Sequence, residues 1–230
     1  MTGHHETTSG PVERPAISFR TYRPGDISAC ARMAKDAWPA ASAVGSKALE
    51  LSGMEGYIEH SLGLANWTDV AYTSERVIGF LFGRIDGYRE EERPKRPLLG
   101  EVPTILRTFF EHDRMTPTLL RFLWGLLLTD LKLKLLMPRS DASIEMFIVD
   151  SKYRGKGVGS ELIDRFLKAV GDSGSALVTL YTDDMTSNWR FYERRGFRRV
   201  GTFYDNLTSY YSGADAHGII YTLDLGKEEP

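Results

Sequence analysis

The chain of 230 residues contains one cysteine, no excess of charge of either sign and no long uninterrupted apolar segment. The single cysteine, Cys30, cannot form an internal disulfide. It lies among apolar residues at helical spacing, so we predict a buried thiol and a cytoplasmic protein. With 29 Lys and Arg against 31 Asp and Glu, no overall positive field attracts nucleic acid. A disulfide-stabilised secreted domain and a nucleic-acid-binding protein are therefore both disfavoured.

The most apolar segment, residues 117–137, is interrupted by Arg121, Asp130, Lys132 and Lys134. Each charge at bilayer depth would cost a few kcal/mol, so we predict no membrane span. The segment is more typical of a helix with a broad apolar face. That face could cover the domain, an apolar substrate or a second copy of the chain in a homodimer.

The length predicts one domain, residues 16–230. Residues 1–15 are polar and are predicted to form a disordered arm, and we predict no metal site for the chain. Periodicity predicts further elements along the domain. The predicted strands are residues 17–22, 69–73, 77–82, 143–149, 176–182 and 219–225. The predicted helices besides the apolar segment 117–137 are residues 26–38, 47–64 and 158–170, followed by a shorter one that ends at Gly196.

Residues 154–159, with the sequence Arg-Gly-Lys-Gly-Val-Gly, lie between the strand pattern 144–149 and the helix pattern 158–170. Glycines at a helix start expose N–H groups and a positive dipole end, a combination that binds phosphate. The spacing does not fit a Walker loop. A dinucleotide fingerprint would need glycine where Ser160 stands, although Asp183 follows at a plausible interval. Too little chain follows Asp183 to complete a dinucleotide-binding sheet.

Glu145 is the only charged residue in the strand pattern 143–149. Alternation places it on one face with Ser143, Phe147 and Val149, and places Ile144, Met146 and Ile148 on the other. A half-buried carboxylate has two interpretations, which the sequence leaves open. It forms a structural ion pair, or it accepts the proton of an attacking ammonium group.

The glycine loop is followed by a strand pattern at residues 176–182 and then by a helix pattern with Asn188, Phe191 and Tyr192 that ends in Gly196-Phe197. Together these features resemble the GNAT family, the Gcn5-related N-acetyltransferases. The close match covers about the last third of the chain, and the earlier part matches in its order of elements. Relative to the family's compact plan, about residues 88–140 are predicted to be a helical insertion.

The resemblance implies an α/β fold with a mixed, mostly antiparallel central sheet flanked by helices and splayed between its fourth and fifth strands. It implies that acetyl-coenzyme A is the acetyl donor and that a primary amine of a small molecule or peptide attacks it directly. Tyr192 would be the general acid, and Glu145 is our candidate base. The implied cofactor-binding residues are Phe147, Ile148, Val149, Arg154, Gly155, Lys156, Gly157, Val158, Gly159, Ser160, Asn188 and Tyr192.

The competing interpretation is a non-catalytic domain that binds acyl-coenzyme A as a sensor or as a partner-binding module. The presence of both Glu145 and Tyr192 favours an enzyme. The acceptor amine is not named by any motif. Four residues late in the chain could line the acceptor side or be surface aromatics: Tyr204, Tyr210, Tyr211 and His217.

Overall fold

The structure is a computed structural model that describes residues 16–38, 51–74, 76–88 and 117–226. The predicted disordered arm at residues 1–15 and the first part of the predicted insertion, up to residue 116, lie largely outside the described residues. The strands are β1 Ser18–Arg20, β2 Trp67–Tyr72, β3 Val77–Ile85, β4 Ala142–Val149, β5 Leu177–Asp183, β6 Arg198–Tyr204 and β7 His217–Asp224. The helices are α1 Ile27–Ala37, α2 Leu51–Leu64, α3 Pro117–Leu136, α4 Val158–Asp172, α5 Arg190–Glu193 and α6 Asn206–Ser212.

The strands of the described residues form one sheet in the order β1-β2-β3-β4-β5-β7-β6. Every neighbouring pair is antiparallel except β4 and β5, which are parallel. β4 and β5 run parallel because α4, which connects them, carries the chain back to the end of the sheet at which β4 begins. The predicted mixed, mostly antiparallel α/β sheet is confirmed.

Helices cover both faces of the sheet. On the first face, α4 and the segment around α5 pack with Phe166, Leu162 and Tyr192 in the larger apolar cluster. On the second face, α1 and α2 pack over Phe80 and Met146 in the smaller cluster. The two faces are therefore distinct surfaces, and a gap in the sheet connects them.

That gap lies between β4 and β5. The two strands pair only from Ala142 opposite Val178 to Ile144 opposite Leu180, although β4 continues to Val149 and β5 to Asp183. Beyond these pairs the strands separate, and the predicted splay between the fourth and fifth strands is confirmed. Main-chain groups beyond the separation are left without a strand partner on that side.

A β-bulge at the point of separation changes the predicted faces of β4. Gly83 of β3 lies opposite Ile144 and Phe82 opposite Met146, so Glu145 is an extra residue without an opposite partner. The predicted alternation across residues 143–149 is therefore wrong at its centre. Ile144 joins the first-face cluster, against which Phe147 and Val149 also pack, whereas Met146 and Ile148 belong to the second face.

The helix of the insertion, α3, docks on α6. Thr129 donates to the carboxylate of Asp205 at 2.9 Å, and Lys132 donates to the carbonyl of Tyr204 at 2.8 Å. Gly125 allows the close approach, since a Cβ there would lie 3.2 Å from the carbonyl oxygen of Asn206. Four large apolar side chains of α3 are exposed at the 3.5-residue spacing of a helix seam: Leu120, Trp124, Leu127 and Leu131. Leu120 and Trp124 also line a shallow groove beside α6. No helix among the described residues is long and apolar enough to cross a membrane.

Candidate active site

The gap between β4 and β5 opens into a cavity of about 1070 Å³. From the first face of the sheet, its described lining comes from the glycine loop (residues 154–159), the start of α4 and the segment around α5. From the second face it comes from the end of α1, from α2, and from α3 and α6. The cavity therefore gives two ligands access to the same point from opposite faces of the sheet.

The glycine loop has the backbone of a phosphate-binding turn. Gly155 and Gly157 have φ values of 74° and 84°, a left-handed conformation that favours glycine. Among the described residues, no acceptor bonds the N–H groups of Gly157, Val158, Gly159 or Ser160. These free donors lie at the positive end of the 15-residue helix α4. Free N–H groups at the start of a helix are the features by which proteins bind anions.

Gly159 has a second role, which is steric. A Cβ at this position would lie 3.2 Å from the ring of Phe147 and 3.4 Å from Val149. A Cβ here would force the Phe147 ring to move by a few tenths of an ångström. The glycine therefore allows the start of α4 to pack closely on β4 beside the cavity.

Most of the predicted cofactor-binding residues line the cavity. They are Phe147, Ile148, Val149, Arg154, Gly155, Gly157, Gly159, Ser160, Asn188 and Tyr192. Lys156 and Val158 are not among the described lining residues. Val158 is buried in the core, and the ammonium of Lys156 lies 4.8 Å from the ring centre of Tyr153.

Among the residues that the structure describes, three basic side chains line the cavity, all on the first face: Arg154, Arg194 and Arg195. Arg154 donates to the carbonyl of Val149 at 3.1 Å, and Arg195 forms an ion pair with Asp164. Arg194 is exposed and was not singled out by sequence, because nothing in its local pattern distinguishes it from other surface arginines of the segment. The positive charge of the cavity is thus concentrated around the glycine loop and α5.

Glu145 lies on the second face, next to α2. It accepts a hydrogen bond from Ser143, and no basic side chain of the described residues forms an ion pair with it. Desolvation raises the pKa of the Tyr57 phenol on α2, and the charge of Glu145 adds to that increase. The ion-pair interpretation therefore finds no support in the described residues, and a half-buried carboxylate faces the cavity.

Tyr192 lies on the first face and lines the same cavity as Glu145. Its side chain is 9% exposed and its ring contacts those of Phe147, Phe197 and Tyr221. Burial raises the pKa of its phenol far above the usual value, and the nearby Tyr221 and Asp183 raise the pKa further. The hydroxyl therefore keeps its proton at neutral pH. Within the described part of the chain no group hydrogen-bonds this hydroxyl.

The helix that carries Tyr192 is shorter than the sequence pattern indicated. It spans Arg190–Glu193, so Asn188 precedes it, and the Asn188 carbonyl accepts from the N–H of Phe191 at 2.8 Å. Asp183 closes the preceding turn by accepting from the N–H of Met185 at 2.9 Å and from Thr186. Asn188 and Tyr192 nevertheless line the same cavity.

The four late aromatic residues have different positions. Tyr211 lines the cavity, whereas Tyr210 lies in a shallow groove beside α3. Tyr204 is exposed, and His217 lies 3.3 Å from the carboxylate of Asp184. Cys30 is fully buried, and burial raises the pKa of its thiol to about 12, as expected for a core residue. No group of side chains among the described residues could hold a metal ion.

The sequence matches the family model described as the acetyltransferase (GNAT) family over residues 32–197. No curated protein sequence matches the chain. The structure is similar to the ribosomal-protein-S18-alanine N-acetyltransferase from Escherichia coli, with 12% identity, a TM-score of 0.53 and coverage of 93% of this chain and 97% of that one. It is also similar to PH1933 from Pyrococcus horikoshii, with 14% identity, a TM-score of 0.57 and coverage of 92% and 100%.

A third similar structure is an aminoglycoside 6'-N-acetyltransferase complexed with coenzyme A. It is 12% identical, with a TM-score of 0.53 and coverage of 93% of this chain and 99% of that one. Identities at this level show a shared fold. The family match, which spans most of the chain and includes the glycine loop, Glu145 and Tyr192, goes further. The chain belongs to the GNAT family of acetyltransferases.

Proposed function

We propose that the protein transfers an acetyl group from acetyl-coenzyme A to a primary amine by direct attack of the amine. One observation carries the proposal. The gap between β4 and β5 joins the glycine loop on one face to the half-buried carboxylate of Glu145 on the other, and the buried phenol of Tyr192 lines the same cavity. A free cysteine that is buried in the core also supports the cytoplasm as the location.

The first face has the features needed to bind a coenzyme A donor. The N–H groups of residues 157–160 and the guanidinium groups of Arg154 and Arg194 would hold the pyrophosphate. Main-chain groups of Phe147, Ile148 and Val149, beyond the strand separation, would bond the pantetheine arm as an added strand does. Asn188 would contact the arm from the opposite side of the gap.

The reacting groups are supplied by both faces. Acetyl-coenzyme A provides a thioester carbonyl and a thiolate leaving group. An incoming ammonium ion is not nucleophilic, because an alkylamine has a pKa near 10.4 and must first lose a proton. Glu145 accepts that proton directly or through water, and Tyr192 donates its proton to the departing sulfur.

The step is balanced in atoms and charge. A bond forms between the amine nitrogen and the acetyl carbon, and the bond between that carbon and sulfur breaks. The nitrogen loses two protons in all: Glu145 gains the first, from the ammonium, and solvent gains the second, from the nitrogen of the tetrahedral intermediate. Tyr192 loses the proton that the sulfur gains. The two residues are reset when the protons exchange with solvent.

Kinetics of two variants would test these roles. Tyr192→Phe should lower kcat by about 10- to 100-fold and leave the Kd for acetyl-coenzyme A unchanged, since the ring contacts remain. Glu145→Gln should lower the rate most at low pH, where little free amine is present. Unchanged kcat in both variants would refute the roles given to Tyr192 and Glu145. Acetyl-coenzyme A binding with no acetyl transfer by the wild type would instead support a non-catalytic acyl-coenzyme A sensor.

A further inference from the structure

The second-face half of the cavity is walled by large apolar and aromatic side chains from four helices. Its described lining includes Trp38 at the end of α1, Tyr57 on α2, Phe122 and Leu126 on α3, and Tyr211 on α6. The rings of Trp38 and Tyr57 meet edge to face at 5.8 Å. A ligand that enters from this face is therefore surrounded mainly by apolar surface.

The charges of the described lining are divided between the two faces. The basic lining residues, which are Arg154, Arg194 and Arg195, belong to the first face. On the second face, Asp183 is occupied by the N–H and hydroxyl groups of its own turn. Glu145 is bonded only by Ser143 among the described residues. One carboxylate is thus available for a ligand cation, at the base of an apolar wall.

The insertion helix is held rigidly enough to form part of this wall. Besides the hydrogen bond of Thr129 to Asp205, the Lys132 ammonium bonds the side-chain oxygen of Asn206 at 2.6 Å, and the Tyr210 hydroxyl donates to the carbonyl of Thr118 at 3.0 Å. These contacts orient α3 so that Phe122, which is 6% exposed, faces inward.

We propose that the acceptor is a small primary amine on an apolar, ring-bearing body, and that Phe122 and Leu126 of the insertion select it. This inference rests on the proposed acetyl transfer. A single ammonium group fits the single free carboxylate, and aromatic walls favour both the ring and the adjacent cation. A polyamine or a polyhydroxylated aminoglycoside would bury charges or hydroxyl groups that the described walls leave unpaired.

A pair of matched amines would test the acceptor class in the full-length protein. Phenylbutylamine and diaminobutane share a four-carbon chain and differ in whether a phenyl ring or a second ammonium ends it. We expect kcat/KM for phenylbutylamine to be about 100-fold higher than kcat/KM for diaminobutane. Burial of the phenyl ring is worth about two factors of ten in affinity. Equal values, a preference for diaminobutane or aminoglycosides, or a preference for a peptide that begins with phenylalanine would overturn the inference.

Two leucines of α3 provide a matched pair of variants. Leu126 lines the cavity and is 38% exposed, so Leu126→Asn should fold normally. We expect it to lower kcat/KM for phenylbutylamine about tenfold, with an unchanged KM for acetyl-coenzyme A. Leu135→Asn alters a residue that is 74% exposed and is not in the lining, and it should leave both values unchanged.

The outcomes separate the two proposals. Acetylation of amines without a preference for the ring, or equal effects of the two leucine variants, would refute the acceptor class and leave the acetyltransferase intact. Acetyl-coenzyme A binding with no amine acetylated would refute the proposed function, and the acceptor class with it. Unfolding temperatures of both variants within about 2 °C of the wild type would confirm that the fold is preserved.

Discussion

Replacement of Asp205 by alanine should destabilise the protein more than almost any other single polar substitution. The side chain is fully buried between β5, α3 and α6. It accepts bonds from the N–H groups of Leu207 and Thr208, both at 3.0 Å, and from the hydroxyls of Thr208 at 2.7 Å, Thr129 at 2.9 Å and Tyr181. The two N–H bonds cap α6, and the hydroxyl bonds connect α3 and the sheet to it.

The magnitude follows from the groups left unsatisfied. Loss of the helix cap costs about 1 kcal/mol, and each buried donor left without a partner costs about 1 to 3 kcal/mol. Threonine hydroxyls can rotate towards other acceptors, so we expect a total near 4 kcal/mol. For a chain of this length that corresponds to a fall in Tm of about 8 to 16 °C. Thr129→Val removes one donor and should cost only about 1 kcal/mol.

Urea unfolding followed by circular dichroism would measure both variants, with Asp205→Asn as an intermediate case that keeps one acceptor oxygen. The expected order of stability is wild type, Thr129→Val, Asp205→Asn, Asp205→Ala. A loss below about 1 kcal/mol for Asp205→Ala would refute the hydrogen-bond network as the attachment of α3.

Three further predictions concern the glycine loop, the start of α1 and the exposed face of α3. Gly159→Leu should weaken acetyl-coenzyme A binding at least 100-fold, measured by calorimetry, because the new side chain fills the space beside the loop. Gly171→Leu is the control: a Cβ there would meet nothing within 4 Å, and we expect acetyl-coenzyme A binding to be unchanged. Burial alone would raise the pKa of Asp26, but hydrogen bonds from Arg20 and from the main-chain N–H of Arg23 hold that pKa below its usual value. This carboxylate therefore stabilises the fold above about pH 4, and Asp26→Asn should cost about 2 kcal/mol at pH 7 and progressively less as the pH falls below 4. Because the exposed α3 side chains repeat every 3.5 residues, we expect this face to contact a second copy, and Trp124→Gln should shift a dimer to monomer in sedimentation; a monomeric wild type would contradict this.

The sequence was most informative where function requires a local pattern. The glycine loop between a strand and a helix follows directly from residues 154–159. The left-handed turn at Gly196 was also predictable, although the helix before it ends at Glu193, earlier than the sequence pattern indicated. Backbone geometry at these positions depends on neighbouring residues, so spacing alone predicts it. The separation of β4 from β5 came only from the family resemblance.

The acceptor side was not predictable in the same way. Alternation along β4 assumes an unbroken ladder, and the single extra residue, Glu145, transfers Ile144 to the other face. Trp38, Tyr57 and Phe122 meet in one cavity although they are far apart in the chain, and no periodicity encodes that meeting. Their convergence depends on how α1, α2 and α3 pack, which is a tertiary property.

The most direct test of acetyl transfer is to incubate the full-length protein with acetyl-coenzyme A and phenylbutylamine and to quantify both products. We predict one N-acetylated amine, identified by mass spectrometry, for each free thiol released, and a rate that falls when Glu145→Gln or Tyr192→Phe replaces the wild type. Binding of acetyl-coenzyme A with no acetylated product from any of the amines tested would contradict the assignment of an enzyme.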